Sequence, residues 1–193
     1  MTREEAEETR ERIIKAAMKV FAEHGYFRAP VRLIAMEAGV SKGLIFWYFR
    51  SKDEIIQQVA LKALPHDVIK TCLDEDLRGC SLLECIAQRY ISKYSDETMT
   101  RLLIHTLDVK NVYESVDKLF RDTCEQMLGE VAKRSFPRVG EKRARTLARL
   151  FFGGLLCLVL SKPKDMSVQE YIEETIGIMR PYCGSGQEEN KAG

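Results

Sequence analysis

Pro30-Val31-Arg32-Leu33-Ile34-Ala35-Met36-Glu37-Ala38-Gly39-Val40-Ser41-Lys42-Gly43-Leu44-Ile45-Phe46-Trp47-Tyr48-Phe49-Arg50-Ser51-Lys52 reads as two short helices joined by a tight turn. Val31, Ile34, Ala35 and Ala38 recur at i, i+3, i+4 and i+7, which gives the first helix one apolar face. Pro30 suits its first position, where a missing N–H costs nothing. Gly39 follows the last periodic residue, where a left-handed backbone favours a residue without Cβ, and Ser41 can cap the next helix through its hydroxyl. Ile45 and Phe49 lie one turn apart and, with Val40, can close a small core against the first helix. Lys42, Gly43, Leu44, Trp47 and Tyr48 are then left pointing outward. A helix with a small residue at its start, a cation, and aromatics with polar tips is suited to a DNA major groove.

Working outward, helix 1 is expected over roughly Glu5 to His24, with Ile14, Ala17, Met18 and Phe21 inward and Gly25 ending it. Ser51-Lys52-Asp53-Glu54 has the spacing of a capping box and starts a helix that Pro65 stops. Together with Thr9-Arg10-Glu11-Arg12-Ile13-Ile14-Lys15-Ala16-Ala17 and Phe21-Ala22-Glu23-His24-Gly25-Tyr26, the opening stretch resembles the amino-terminal domain of the tetracycline-repressor (TetR) family of transcriptional regulators. Ala38 to Gly43, Tyr48-Phe49 and Ser51 to Glu54 carry the likeness, which covers the first quarter to third of the chain.

The resemblance implies an all-α protein of about nine helices. A three-helix, helix-turn-helix DNA-binding domain would occupy residues 1–64, a helical effector-binding and dimerisation domain 65–183, and a disordered tail 184–193. It implies DNA contacts from Arg28, Arg32, Ser41, Lys42, Gly43, Leu44, Trp47, Tyr48 and Lys52, the last as a phosphate clamp. Three positions depart from the family pattern. Ala29-Pro30 stands where a Thr or Ser pair is common, so a side-chain cap is lost. Leu44 replaces a hydroxyl residue, and Phe46 replaces Tyr.

Charge is unevenly distributed. The whole chain carries a net charge of +1, but Arg10, Arg12, Lys15, Lys19, Arg28, Arg32, Lys42, Arg50 and Lys52 face only Glu11, Glu23 and Glu37 between residues 9 and 52, a local balance of +6. A basic footprint on a neutral body is what phosphate binding requires. Thr2 to Glu8 is acidic and lacks the apolar core of a targeting segment. The longest apolar run, Leu150 to Leu160, is too short to span a bilayer, so the expected location is the cytoplasm without membrane contact.

Beyond Pro65 the pattern is helical throughout, including a second capping-box signature at Ser81-Leu82-Leu83-Glu84 and a third at Ser167-Val168-Gln169-Glu170. Within the helix from Glu141 to Leu160, the run Leu150 to Leu160 is apolar on every side and must be covered on every side. A second chain is the economical cover, with Phe151, Phe152, Gly154, Leu155, Leu158, Ile172 and Ile176 expected at a homodimer interface. Tyr90, Tyr94, His105, Tyr113 and Cys124 are the candidate lining of a pocket for a small apolar effector.

The six cysteines, Cys72, Cys80, Cys85, Cys124, Cys157 and Cys183, contain no Cys-x-x-Cys pair, so neither a zinc site nor another metal is expected and reduced thiols are the default. Cys72, Cys80 and Cys85 leave open a regulator switched by thiol oxidation. The three histidines, His24, His66 and His105, lie far apart, and no nucleophile elbow, phosphate loop or cofactor motif accompanies them. The expectation is a non-enzymatic homodimeric repressor of double-stranded operator DNA, released by an effector.

Overall fold

The computed structural model describes residues 2–109 and 114–184, and among them it contains ten α-helices, a closing 3-10 turn and no strand. They are α1 (Arg3–Arg28), α2 (Val31–Ala38), α3 (Lys42–Tyr48), α4 (Lys52–Ala63), α5 (His66–Asp74), α6 (Gly79–Tyr94), α7 (Glu97–Val109), α8 (Glu114–Ser135), α9 (Glu141–Leu160) and α10 (Val168–Met179), followed by the turn Arg180–Tyr182. Two compact units divide the chain. The first, here the head, takes Met1–Leu64 and Asp96–Arg121; the second, the body, takes Pro65–Ser95 and Asp122–Gly193.

In the head, Ile13, Ile14, Ala17 and Phe21 of α1 share one core with Ile34, Ile45, Phe49, Ile55, Ile56 and Val59, and Leu102 of α7 joins them. Those residues recur at helical spacing on each element, so burying them fixes the helices against one another. Gly25 interrupts α1 with a left-handed φ of 73°, which lets the chain turn before Tyr26 re-enters the core. The buried Tyr26 hydroxyl meets the Thr106 hydroxyl at 2.9 Å, so its polar tip is satisfied. Burial pushes the Tyr26 phenol well above its usual range, and the hydrogen bond with Thr106 partly offsets that.

In the body, Leu82, Leu83 and Ile86 of α6 are buried in the same unit as Phe151, Leu155 and Leu158 of α9 and Ile172 and Ile176 of α10. Ser167 and Glu170 form the expected reciprocal cap at the start of α10. The cap expected at Ser81 does not form. The chain passes through left-handed Asp76 and Gly79, α6 starts at Gly79, and Ser81 already lies inside its first turn. A hydroxyl there is past the cap position.

The cysteines correct a second expectation. Cys72 pairs with Cys85, and Cys80 pairs with Cys183. The first bridge joins α5 to α6, and the second ties the start of α6 to the chain's last described turn. Cys124 and Cys157 take part in neither bridge. Of the tail expected from residue 184, Gly184 is placed, its N–H donating to the Ser135 carbonyl at 3.2 Å; residues 185–193 lie outside the described residues.

Candidate nucleic-acid interface

The turn between α2 and α3 is set by backbone chemistry. Gly39 sits at φ 64°, ψ 37° and donates to the Ala35 and Met36 carbonyls, closing α2. Ser41 then accepts from the Leu44 N–H at 3.1 Å and starts α3. The start of α2 is left without a side-chain cap, because Pro30 has no hydroxyl to offer.

Along α3, Ile45 is fully buried, and Phe49 behind it is fully buried as well. That fixes the opposite face outward. Ser41, Lys42 and Gly43 are exposed, Leu44 and Tyr48 are half-buried, and Trp47 is 65% exposed. The Trp47 and Tyr48 rings meet edge to face at 4.7 Å, which stiffens the tip. Phe46 belongs to this surface too: it is 42% exposed, and the Lys42 ammonium sits 5.7 Å from its ring centre. Its outward position was not assigned from the sequence, although Phe46 falls on the exposed arc beside Lys42 once Ile45 and Phe49 are taken as inward.

Not every cation of the basic footprint points outward. Arg10 lies over the Phe49 ring at 5.3 Å and donates to Gln58 at 3.1 Å, so it braces α1 against the end of α3 and against α4. Lys19 pairs with Glu37 at 2.9 Å, and the hydrogen bond and charge of Glu37 hold its ammonium above the ordinary range. Lys52 donates to the Phe27 carbonyl at 3.0 Å, and partial burial pulls its ammonium below the ordinary range. It therefore fastens the start of α4 to the end of α1. Arg28 and Arg32 are exposed on the same unit. Together with Lys42 they make a surface of cations around an aromatic tip, which is competent to meet a phosphate backbone while the tip enters a groove.

The candidate effector residues do not form one described set. Tyr90 and Tyr94 are buried in the body with rings 4.6 Å apart, and burial raises both phenols well above their usual range. Cys124, half-buried, is close enough to add to both shifts. His105 instead belongs to the head, where its ring packs on Tyr26 and against Gly25. Tyr113 lies outside the described residues. An open cleft of about 530 Å³ between α8 and α9 is lined by Lys133, Phe136, Arg145 and their neighbours rather than by the tyrosine pair.

The expected interface residues also move. Phe151, Leu155, Leu158, Ile172 and Ile176 are each 5% exposed or less within a single chain, and the Tyr171 hydroxyl lies 3.0 Å from where a Cβ on Gly154 would stand. Phe152 is half-buried. Their surface is spent on the body's own core. Leu150, Gly153, Cys157 and Leu160 are left open instead, recurring at i, i+3, i+7 and i+10 along α9, and Ile178 on α10 is 73% exposed. An apolar helix tells that cover is needed on all sides, not which side receives it from its own chain.

An all-helical chain in which a glycine turn and a serine cap present an aromatic, basic helix belongs to the helix-turn-helix class. Residues 13–59 match the amino-terminal model described as bacterial regulatory proteins, tetR family. It is 48% identical over 58 residues to the transcriptional regulator SrpR of Pseudomonas putida, covering 30% of this chain and 27% of that one. A protein of Escherichia coli K12 described as the probable acrEF/envCD operon repressor is 32% identical over 80 residues, 39% of this chain and 36% of that one. The chain thus spans less than half the length of these relatives. The solved structure of Salmonella enterica GusR superposes with a TM-score of 0.73 at 18% identity, over 91% of this chain and 95% of that one, a likeness of fold. Among the described residues no helix is long and apolar enough to cross a membrane, and no three His, Cys, Asp or Glu side chains are grouped as a metal site.

Proposed function

We propose that the chain is a ligand-responsive transcriptional repressor, located in the cytoplasm, that binds a palindromic operator as a homodimer. Trp47 carries this reading: a large aromatic, 65% exposed, held on a helix whose other side is locked into the head's core. In the bound state two copies of the helix from Lys42 to Tyr48 enter successive major grooves about one DNA turn apart. Arg28 and Arg32 contact phosphates beside each helix, while Lys52 holds the start of α4 to the end of α1 behind them. The small residue Gly43 lets the backbone approach the duplex closely.

The second chain is recruited by the open α9 stripe of Leu150, Gly153, Cys157 and Leu160 together with Ile178, since exposed apolar surface on this scale marks an interaction site. An apolar effector bound in the body shifts the spacing of the reading heads and releases the DNA. A coupling of about 1 to 3 kcal/mol is enough to change operator affinity about 5- to 150-fold.

The test is a gel-shift titration of the chain on its own upstream DNA. Trp47→Ala is expected to cost about 1 to 3 kcal/mol of specific binding while sedimentation still reports a dimer. Unchanged binding by that variant removes Trp47 and, with it, the assigned groove face.

A further inference from the structure

The chain's last described turn is held in a seat built from three separate segments. Cys183 is bridged to Cys80 in the first turn of α6. The N–H of Gly184 donates to the Ser135 carbonyl at the end of α8. The Gly184 carbonyl oxygen occupies the place a Cβ on Gly79 would need, and a Cβ on Gly184 would stand 2.6 Å from Pro137. Both glycines are therefore required for the seat to close. Arg180, Pro181 and Tyr182 before it are exposed. Arg180 closes α10, its N–H donating to the Ile176 and Gly177 carbonyls, and its own carbonyl accepts from the Cys183 N–H at 3.2 Å. The Ser135 hydroxyl beside the seat is buried without a hydrogen-bond partner, so opening the seat would let water reach it.

The two bridges differ in how they can open. Thiol-disulfide exchange requires a thiolate to approach one sulfur while the other leaves as a thiolate. Attack on Cys85 would expel Cys72, which is fully buried and leaves its charge in apolar surroundings. Cys80 and Cys183 are both partly exposed. Attack on Cys183 would expel Cys80 as the second residue of a 16-residue helix, where unpaired backbone N–H groups stabilise an anion.

We propose that the Cys80–Cys183 bridge is a redox latch, opened by a dithiol reductant ahead of Cys72–Cys85, and that it fixes the end of α10 and so the Ile178 part of the dimer face. One reductant thiolate attacks the Cys183 sulfur, forming a mixed disulfide and releasing Cys80 as a thiolate. The second reductant thiol displaces Cys183, leaving two protein thiols and one reductant disulfide, a two-electron exchange with protons supplied by water. The latch itself stands on the described geometry; its consequence for assembly rests on the homodimer reading above.

The experiment takes the full chain through graded dithiothreitol. Differential alkylation and mass spectrometry follow each cysteine, and hydrogen exchange follows the peptide covering residues 176–184. Cys80 and Cys183 are expected to be alkylated first, with faster exchange in that peptide while Cys72 and Cys85 stay paired. Cys183→Ser should show the fast exchange without reductant, and Cys85→Ser should keep the slow exchange. Opening of Cys72–Cys85 first or simultaneously, or exchange unchanged by selective opening, overturns the latch. Sedimentation then separates the two readings. Selective reduction is expected to raise the dimer dissociation constant about tenfold, equivalent to about 1.4 kcal/mol. A constant that does not move, with the latch open and the peptide loosened, overturns the link to assembly. A chain that is monomeric even when oxidised refutes the homodimer reading, while alkylation order and exchange still decide the latch.

Discussion

The head and the body bury their helices by different means. In the head, one core of Ile, Val, Ala and Phe side chains closes around α1 without a covalent link, and backbone chemistry at Gly25, Gly39 and Ser41 sets the turns. In the body, both disulfides of the chain fasten α5, α6 and the final turn, and the buried aromatics include the polar-tipped pair Tyr90 and Tyr94. Local rules dominate the first unit and long-range ones the second. Perturbations should therefore separate the two units, and Trp47, the chain's single tryptophan, reports on the head.

The largest effect is expected from Phe49→Ala. Phe49 is fully buried and carries Arg10 over its ring, so its truncation should cost about 3 to 5 kcal/mol, seen as an early Trp47 fluorescence transition in a urea titration. A loss well below that would mean the head does not depend on this core. Loss of one bridge comes next. Opening a native disulfide costs about 2 to 5 kcal/mol, and Cys85→Ser should lower the body's stability by circular dichroism while leaving the Trp47 transition in place. Movement of both transitions together would show that the units do not unfold separately.

A smaller step is expected from Gly39→Ala. No atom lies within 4 Å of the added methyl group, so the whole cost, about 1 to 2 kcal/mol, comes from the left-handed backbone and should appear only in the head's transition.

The smallest effect at neutral pH concerns the tyrosines. Burial raises Tyr26 in the head and Tyr90 and Tyr94 in the body above the ordinary phenol value of about 10. For such groups the neutral phenol is favoured in the fold. Their contribution is complete below pH 10 and is lost as pH climbs from there toward the folded values. The body, with two such groups, should fall more steeply than the head above pH 10. Tyr94→Phe should flatten the body's decline in alkaline urea titrations, and an unaltered slope would reject the assignment.

The same division explains what could be read without coordinates. The turn at Gly39, the cap at Ser41 and the inward pair Ile45 and Phe49 follow from neighbours in the chain, so spacing alone reveals them. The disulfides could not be read that way, because Cys183 meets Cys80 across 103 residues and no spacing rule records it. Ser81 to Glu84 has the letters of a cap, yet the helix starts at Gly79 with Arg78 in the cap position, three residues sooner. Arg10 and Lys52 show the limit for the candidate interface. Composition counts them as footprint, while the folded chain directs one to Phe49 and Gln58 and the other to the Phe27 carbonyl. For α9, hydrophobicity announced a covered helix but could not divide Leu155, turned inward, from Leu150 and Leu160, left open.

Selection of bound duplexes from a randomised DNA pool tests the central claim most directly, with the oxidised full chain and Trp47→Ala run side by side. The account predicts enrichment of an inverted repeat whose half-sites are centred about one helical turn apart, bound by two chains and lost or relaxed with the variant. Enrichment of no sequence, or the same sequence with equal affinity for both proteins, would contradict it.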